Sequence, residues 1–106
     1  MNTSEKKAMD LTVEVYRLVA HFPADEEHTL INPLKLAAIA VATNIAKSEL
    51  NSPQEERAQF LSTARGKIAV VETLLLLCVK LNYLAEADTA AALNMCAELG
   101  RMLSES

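Results

Sequence analysis

The segment Phe60–Tyr83, FLSTARGKIAVVETLLLLCVKLNY, sets the tightest limit on what this chain can fold into, because it reads as one long helix with almost no polar face in its second half. From Ile68 to Leu81 only Glu72, Thr73 and Lys80 are polar. At about 100° per residue those three gather on one narrow side, so the rest of the girth needs apolar neighbours. That is more cover than a single facing helix gives.

A length of 106 residues allows one domain, and 1–106 is read as a single unit. As a monomer, a chain of this size leaves roughly a third or more of its unfolded surface exposed. Hydrophobic residues make up 51%, with two Gly and three Pro, and the aromatics are only Tyr16, Phe22, Phe60 and Tyr83. Such a composition favours helices over sheet. Ten basic against fourteen acidic side chains give a net charge of -4, which disfavours indiscriminate attraction to polyanions.

The opening MNTSEKKAMD has no apolar core after its lysines, so it reads as neither a secretory signal nor an anchor, and a cytoplasmic protein is expected. The longest apolar stretch, Ile68–Leu81, is interrupted by Glu72 and Lys80 and falls short of the roughly 20 residues that cross a bilayer, so no membrane partner is expected. Cys78 and Cys96 sit inside helical apolar patterns without a second cysteine at metal-ligand or redox spacing, which makes them small core residues.

Four helices can be marked. The first runs from about Ser4 to His21, with Leu11, Val15, Leu18 and Phe22 at helical spacing, Tyr16 and Val19 beside them, and Asp10, Glu14 and Arg17 on the wet side. Pro23 closes it. The second spans about Asp25 to Ser48 and contains Pro33, which lacks a backbone donor. Either Asn32 caps a fresh start there with Pro33 at the first position, or the helix kinks. Beyond it, Leu36–Ala42 is apolar throughout. The third starts at Ser52-Pro53-Gln54-Glu55, where Ser can cap, Pro takes the first turn and Glu can reach back, and runs to about Leu81, with Asn82 suited to a left-handed ending. The fourth covers about Ala85 to Leu103, with Asn94, Glu98, Arg101 and Glu105 opposite Ala92, Cys96, Leu99 and Leu103.

Short connections between long helices make an all-α, antiparallel up-down-up-down four-helix bundle the economical architecture. Two of its helices are apolar over more than the stripe a bundle needs. A homo-oligomer is therefore expected, with an interface drawn from helices two and three through Ile39, Val41, Leu74, Leu76 and Leu77.

Several short motifs recur in order: Leu11-x-x-x-Val15-Tyr16, Phe22-Pro23, Leu34-Lys35-Leu36-Ala37-Ala38, Asn44-Ile45-Ala46, Phe60-Leu61-x-x-Ala64-Arg65-Gly66, Glu72-Thr73 and Leu81-Asn82-Tyr83-Leu84. Together they resemble the small bacterial four-helix-bundle family of ribosomal large-subunit (23S) RNA intervening-sequence proteins, over nearly the whole chain. The resemblance implies a bundle that assembles as a homopentamer, without an established enzymatic activity. It also implies kinship with the accessory variability proteins of diversity-generating retroelements, basic proteins that bind nucleic acid alongside a reverse transcriptase. In this chain the family's pair of arginines before Ala37-Ala38 is Lys35-Leu36, the usual Pro before Asn-Ile-Ala is missing at Ala42-Thr43, and the usual Glu-Gly after it is Lys47-Ser48. Pro33 stands where a polar residue is more common.

Lys35, Lys47, Arg57, Arg65 and Lys67 are the candidate nucleic-acid contacts, because phosphate binding needs several cations that converge. Arg65 and Lys67 point about 200° apart on a helix and form no patch unaided. Asn44, Arg65 and Glu72 lie near apolar runs and are expected to satisfy one another or the backbone, since an unpaired buried group costs about 1 to 3 kcal/mol. No nucleophile and acid–base pair converge in the sequence and no Glu-x-x-His motif occurs, so no catalytic residue, cofactor or metal is assigned. His21 and His28 flank a charged turn, and Gly66 and Gly100 are expected to permit close helix contact. The leading functional class is a noncatalytic oligomeric scaffold or adaptor for a protein partner. A nucleic-acid-binding accessory protein is the alternative, and a small enzyme or ligand-binding bundle has no positive feature to support it.

Overall fold

A computed structural model describes residues 2–50 and 53–106. Four long helices account for most of the chain: α1 (Thr3–Val19), α2 (Asn32–Ser48), α3 (Gln54–Lys80) and α4 (Glu86–Ser104). Among the described residues there is no strand. The 27 residues of α3 rise about 40 Å at 1.5 Å each, close to the 43 Å long dimension of the molecule.

Pairs of side chains fix the helix directions. Asn2 meets Glu49 at one end of the α1–α2 pair, and Lys35 lies 4.6 Å from the Tyr16 ring at the other. Lys47 sits over Phe60 while Tyr83 reaches Glu26, which makes α2 and α3 antiparallel in the same way. Lys7 pairs with Glu98 at 2.8 Å, and Arg65 donates to the Leu103 carbonyl at 3.4 Å. The chain goes up, down, up and down, and α4 closes the ring against α1.

Each helix buries an apolar stripe at alternating spacings of three and four. In α3 it is Leu61, Ala64, Ile68, Val71, Leu75 and Cys78, and in α4 it is Thr89, Ala92, Cys96, Leu99 and Leu103. Leu11, Val15 and Leu18 from α1 and Leu34, Ala38, Val41 and Ile45 from α2 complete the core. This repeat belongs to shallow helix crossings with knobs packed into holes. Among the described residues the two buried polar side chains are satisfied locally, Ser48 donating to the Ile45 carbonyl at 2.6 Å and Thr89 to that of Glu86 at 2.9 Å. Both cysteines are core residues, and burial pushes the Cys78 thiol up to about 11 and the Cys96 thiol up to about 12.

The helix ends follow local chemistry. Asn2 caps α1 by accepting the Glu5 N–H at 2.8 Å, and Pro23 in extended conformation keeps the chain from resuming that helix at once. At the end of α3, Asn82 takes a φ of 66°, the Tyr83 N–H donates to the Cys78 carbonyl at 2.9 Å and the Asn82 N–H to that of Val79 at 3.0 Å. These two bonds form a Schellman ending around a residue type that tolerates the left-handed region. Asp88 accepts the Ala85 N–H at 2.9 Å and so tethers the start of α4.

Of the two readings of Pro33, the fresh start falls. Asn32 has helical angles and no side-chain capping bond, and the helix enters α2 through a 3-10 turn (Ala24–Glu26) and a π turn (Glu27–Ile31). The missing donor of Pro33 falls just after that π turn, where the hydrogen-bond ladder is already changing register. The expected cap at Ser52 lies outside the described residues, and Pro53 precedes α3 rather than occupying its first turn. The continuous helix Ala24–Ser48 is long and apolar enough by length and composition to cross a membrane, with a mean hydropathy of 1.3 over its best window. In the fold its inner stripe packs against α1 and α3, as the core helix of a bundle does.

The glycines need correction. A Cβ built on Gly66 or Gly100 meets nothing within 4 Å, so neither permits a close contact within the chain. Gly66→Ala should therefore stabilise the protein by about 0.5 to 1 kcal/mol, because it removes backbone freedom from the unfolded chain without a clash. Thermal and urea denaturation of the two proteins checks this.

Candidate interaction surfaces

The core stripe of α2 has a counterpart on its outer face. Leu36, Ile39, Thr43 and Ala46 are all exposed, and the same three-four spacing carries on to Leu50 just past the helix end. Leu36 and Leu50 each leave 65% of their surface in solvent. Two apolar stripes on opposite sides explain why this helix reads as apolar all round. One is buried by the bundle and the other is not.

Neighbouring helices extend the exposed face. Met9, Val13 and Tyr16 recur along α1 at spacings of four and three, with Val13 70% exposed. Met9 and Val13 line an almost wholly apolar groove of about 340 Å³ with Ile39, Ala42 and Thr43 of α2. On α3, Val70 and Leu77 stay exposed, as does Leu81 at its end. Helix α4 carries no exposed large hydrophobic residue among those described.

The expected interface residues divide accordingly. Ile39, Leu76 and Leu77 are open to solvent. Leu74 is half-buried against the core. Val41 is 0% exposed and packs inside the single chain, so it is not available to a second copy. The error arose from reading Leu36–Ala42 as one undivided apolar run: Ile39 and Val41 are two residues apart and point about 200° from one another. Tyr16, expected beside the core side of α1, instead faces solvent with Met9 and Val13 at spacings of four and three, a pattern present in the sequence.

The candidate nucleic-acid contacts do not converge in one chain. Lys35 is drawn over the Tyr16 ring of α1, whereas Lys47 faces the Phe60 ring of α3 at 5.8 Å. Arg65 turns toward the end of α4 at the Leu103 carbonyl. Arg57 is half-buried and Lys67 is exposed. Asn44 is satisfied as expected by the backbone, donating to the Ala40 carbonyl at 2.8 Å. Among the described residues no three His, Cys, Asp or Glu side chains gather in a way that could hold a metal ion.

Two shallow grooves follow one another along the α3–α4 seam. One, of about 500 Å³, has Ala69, Ala97 and Gly100 in its lining and Arg65, Glu72, Arg101 and Glu105 around them. The other, of about 550 Å³, lies between Leu76 and Lys80 of α3 and Glu86, Ala90 and Leu93 of α4.

At the opposite end of α2, Glu26 accepts hydrogen bonds from the Thr29 hydroxyl and, at 2.6 Å, from the Tyr83 hydroxyl. Phe22 stacks on Tyr83 with ring centroids 5.2 Å apart, so the α1–α2 and α3–α4 connections meet there. The bonds from Thr29 and Tyr83 hold the Glu26 carboxyl below its ordinary value of 4.5, and the Glu26 carboxylate raises the Tyr83 phenol. A depressed carboxyl contributes stability that is present above its unfolded value and is lost as pH falls through the folded one. Tyr83→Phe should therefore lower stability at neutral pH, and its difference from wild type should narrow as pH falls below 4.5, which urea denaturation across pH would show.

The sequence profile described as 23S rRNA-intervening sequence protein matches residues 2–105. Among solved structures, the chain is similar to the crystal structure of a protein of unknown function from the S23 ribosomal protein family of Bacteroides thetaiotaomicron VPI-5482. The two superpose with a TM-score of 0.86 at 15% sequence identity, over 97% of this chain and 96% of that one. At that identity the likeness shows a shared fold. No curated protein matches the sequence.

Proposed function

This chain belongs to the family of 23S rRNA-intervening sequence proteins, and we propose that it is a noncatalytic bundle that assembles with copies of itself and serves as a scaffold or adaptor for a protein partner. The observation that carries this reading is the uncovered apolar stripe of α2, flanked by Met9 and Val13 of α1, with Val70 and Leu77 of α3 also exposed. Burying an apolar side chain of that size stabilises an assembly by about 1.5 to 3 kcal/mol. Several such residues on one side of a small protein mark an interaction surface. A homopentamer is the proposed stoichiometry, following the resemblance to the family.

The alternative, a nucleic-acid-binding accessory protein, draws on Lys35, Lys47, Arg57, Arg65 and Lys67. In one subunit these cations are spread over separate faces, which supports the scaffold reading over it. A ring of subunits would multiply them, and that makes a direct binding measurement worthwhile.

The experiment has two parts. Native mass spectrometry and sedimentation should show the wild-type protein at five chain masses, and Ile39→Glu should reduce it to smaller species with its helicity preserved, because the side chain is exposed in the single chain but buried on assembly. A wild-type monomer at micromolar concentration would overturn self-assembly. Titration with structured RNA and with double-stranded DNA at low and near-physiological salt should show no binding. Micromolar binding with a steep salt slope would instead promote the accessory-protein reading.

A further inference from the structure

We propose that the α3–α4 seam is the partner site of the adaptor and that its occupant is an α-helix of a different protein, with alternating acidic and basic residues along both flanks. This rests on the adaptor reading and gives the partner a place and a chemistry.

The seam is separate from the surface assigned to self-assembly. Met9, Val13, Ile39, Val70 and Leu77, the exposed residues on which assembly rests, line neither of its two grooves. From Arg65 to Lys80 those grooves follow about 22 Å of α3, which is about four turns of a third helix laid between two others. Ala69, Ala90, Ala97 and Gly100 are part of the lining, and a Cβ on Gly100 meets nothing within 4 Å. Large apolar side chains of a facing helix have room there. Leu76, which leaves 52% of its surface in solvent, is the apolar anchor at the second groove.

Charge identifies the kind of helix. The α3 wall carries Arg65, Glu72 and Lys80, in the order plus, minus, plus, at spacings of seven and eight residues. Read in the same direction, the antiparallel α4 wall carries Glu105, Arg101 and Glu86, in the order minus, plus, minus. Three cations against three carboxylates leave no net attraction for a polyanion or for a uniformly acidic segment. The balance is not achieved by closing the groove. Among the described residues the ion pairs are Lys7–Glu98 and Glu14–Arg17, so none of the six charges of the seam is paired with another. Alternating charges beside an apolar seam, two helical turns apart, are what the e and g positions of a coiled coil present, where they select the partner and its register. The complementary helix sets acid, base, acid against α3 and base, acid, base against α4.

The probe is a synthetic helical peptide of about 18 residues with leucine at its a and d positions and that charge order at e and g, titrated against the full chain by fluorescence anisotropy. Micromolar binding is expected, and Glu72→Lys should weaken it about fivefold. A second peptide, in which the lysine that faces Glu72 is glutamate, should show the reverse preference and bind Glu72→Lys more tightly than wild type. Native mass should stay that of the wild type, because the seam lies outside the assembly surface. If circular dichroism shows that Glu72→Lys does not fold, Lys80→Glu at an exposed position replaces it, with the matching change in the peptide. No binding at millimolar peptide, equal affinity of both chains for both peptides, or displacement of the peptide by structured RNA would overturn the seam as a partner site while self-assembly stands. A monomeric wild type that keeps the charge preference would remove self-assembly and leave the seam.

Discussion

The structure depends on a helix that has two apolar sides. One stripe of α2, Leu34, Ala38, Val41 and Ile45, is the middle of the core, in contact with α1 and α3. The other, Leu36, Ile39 and Thr43, points the opposite way and finds no cover among the described residues. A bundle of four helices can bury one face of each member, and a helix with two such faces exceeds what the single chain can satisfy. The excess is hydrophobic and therefore nondirectional. Its spacing is what gives it direction, toward another helix.

The ends of the bundle are settled by polar groups, which leaves the apolar contacts to set only the packing. Glu26 gathers hydroxyls from Thr29 and Tyr83, and Phe22 stacks on the same tyrosine. This knot joins the α1–α2 connection to the α3–α4 connection at one end of the molecule. It sits beside the Schellman ending in which Asn82 turns the chain. The acidic run Asp25, Glu26 and Glu27 thus has a structural use for at least its central member, which helps to place the π turn ahead of Pro33.

Much of the fold was legible because helix boundaries and core stripes are local properties. Asn82 announces its left-handed turn by residue type, Pro23 its break, and Leu11, Val15 and Leu18 their face. The opposed stripes of α4 hold apart from one residue: Ala92, Cys96, Leu99 and Leu103 are buried and Asn94, Arg101 and Glu105 exposed, while Glu98 is half-buried and pairs with Lys7 of α1. What could not be read was how much of a doubly apolar helix its own neighbours would cover. Val41 and Ile39 have equal claims in the sequence, and only the position of α1 and α3 sends one inward and leaves the other out. The glycines failed for a related reason: Gly66 and Gly100 in a helix suggest close approach, but no other helix of the chain comes within 4 Å of a Cβ at either position. Cations suffer the same ambiguity. Lys35 and Lys47 share a helix, yet one is drawn toward an aromatic ring of α1 and the other toward one of α3.

Charge sharpens the distinction between the helices that apolarity alone leaves blurred. The acidic excess of the chain is carried by the connection before α2 and by α4, while α2 itself is purely basic. If the outer face of α2 existed only to meet solvent, a run of Leu, Ile, Ala and Thr between two lysines would be a liability, since exposed apolar stripes at helical spacing invite any available partner. Lysines at the two ends of the stripe restrict that choice. They repel a second basic α2 and favour an acidic surface, so the same residues that weaken the case for a phosphate-binding patch in one subunit act as a filter on protein contact. In the proposed assembly, selectivity would come from the pairing of a few charges, and affinity from the leucines and isoleucine between them.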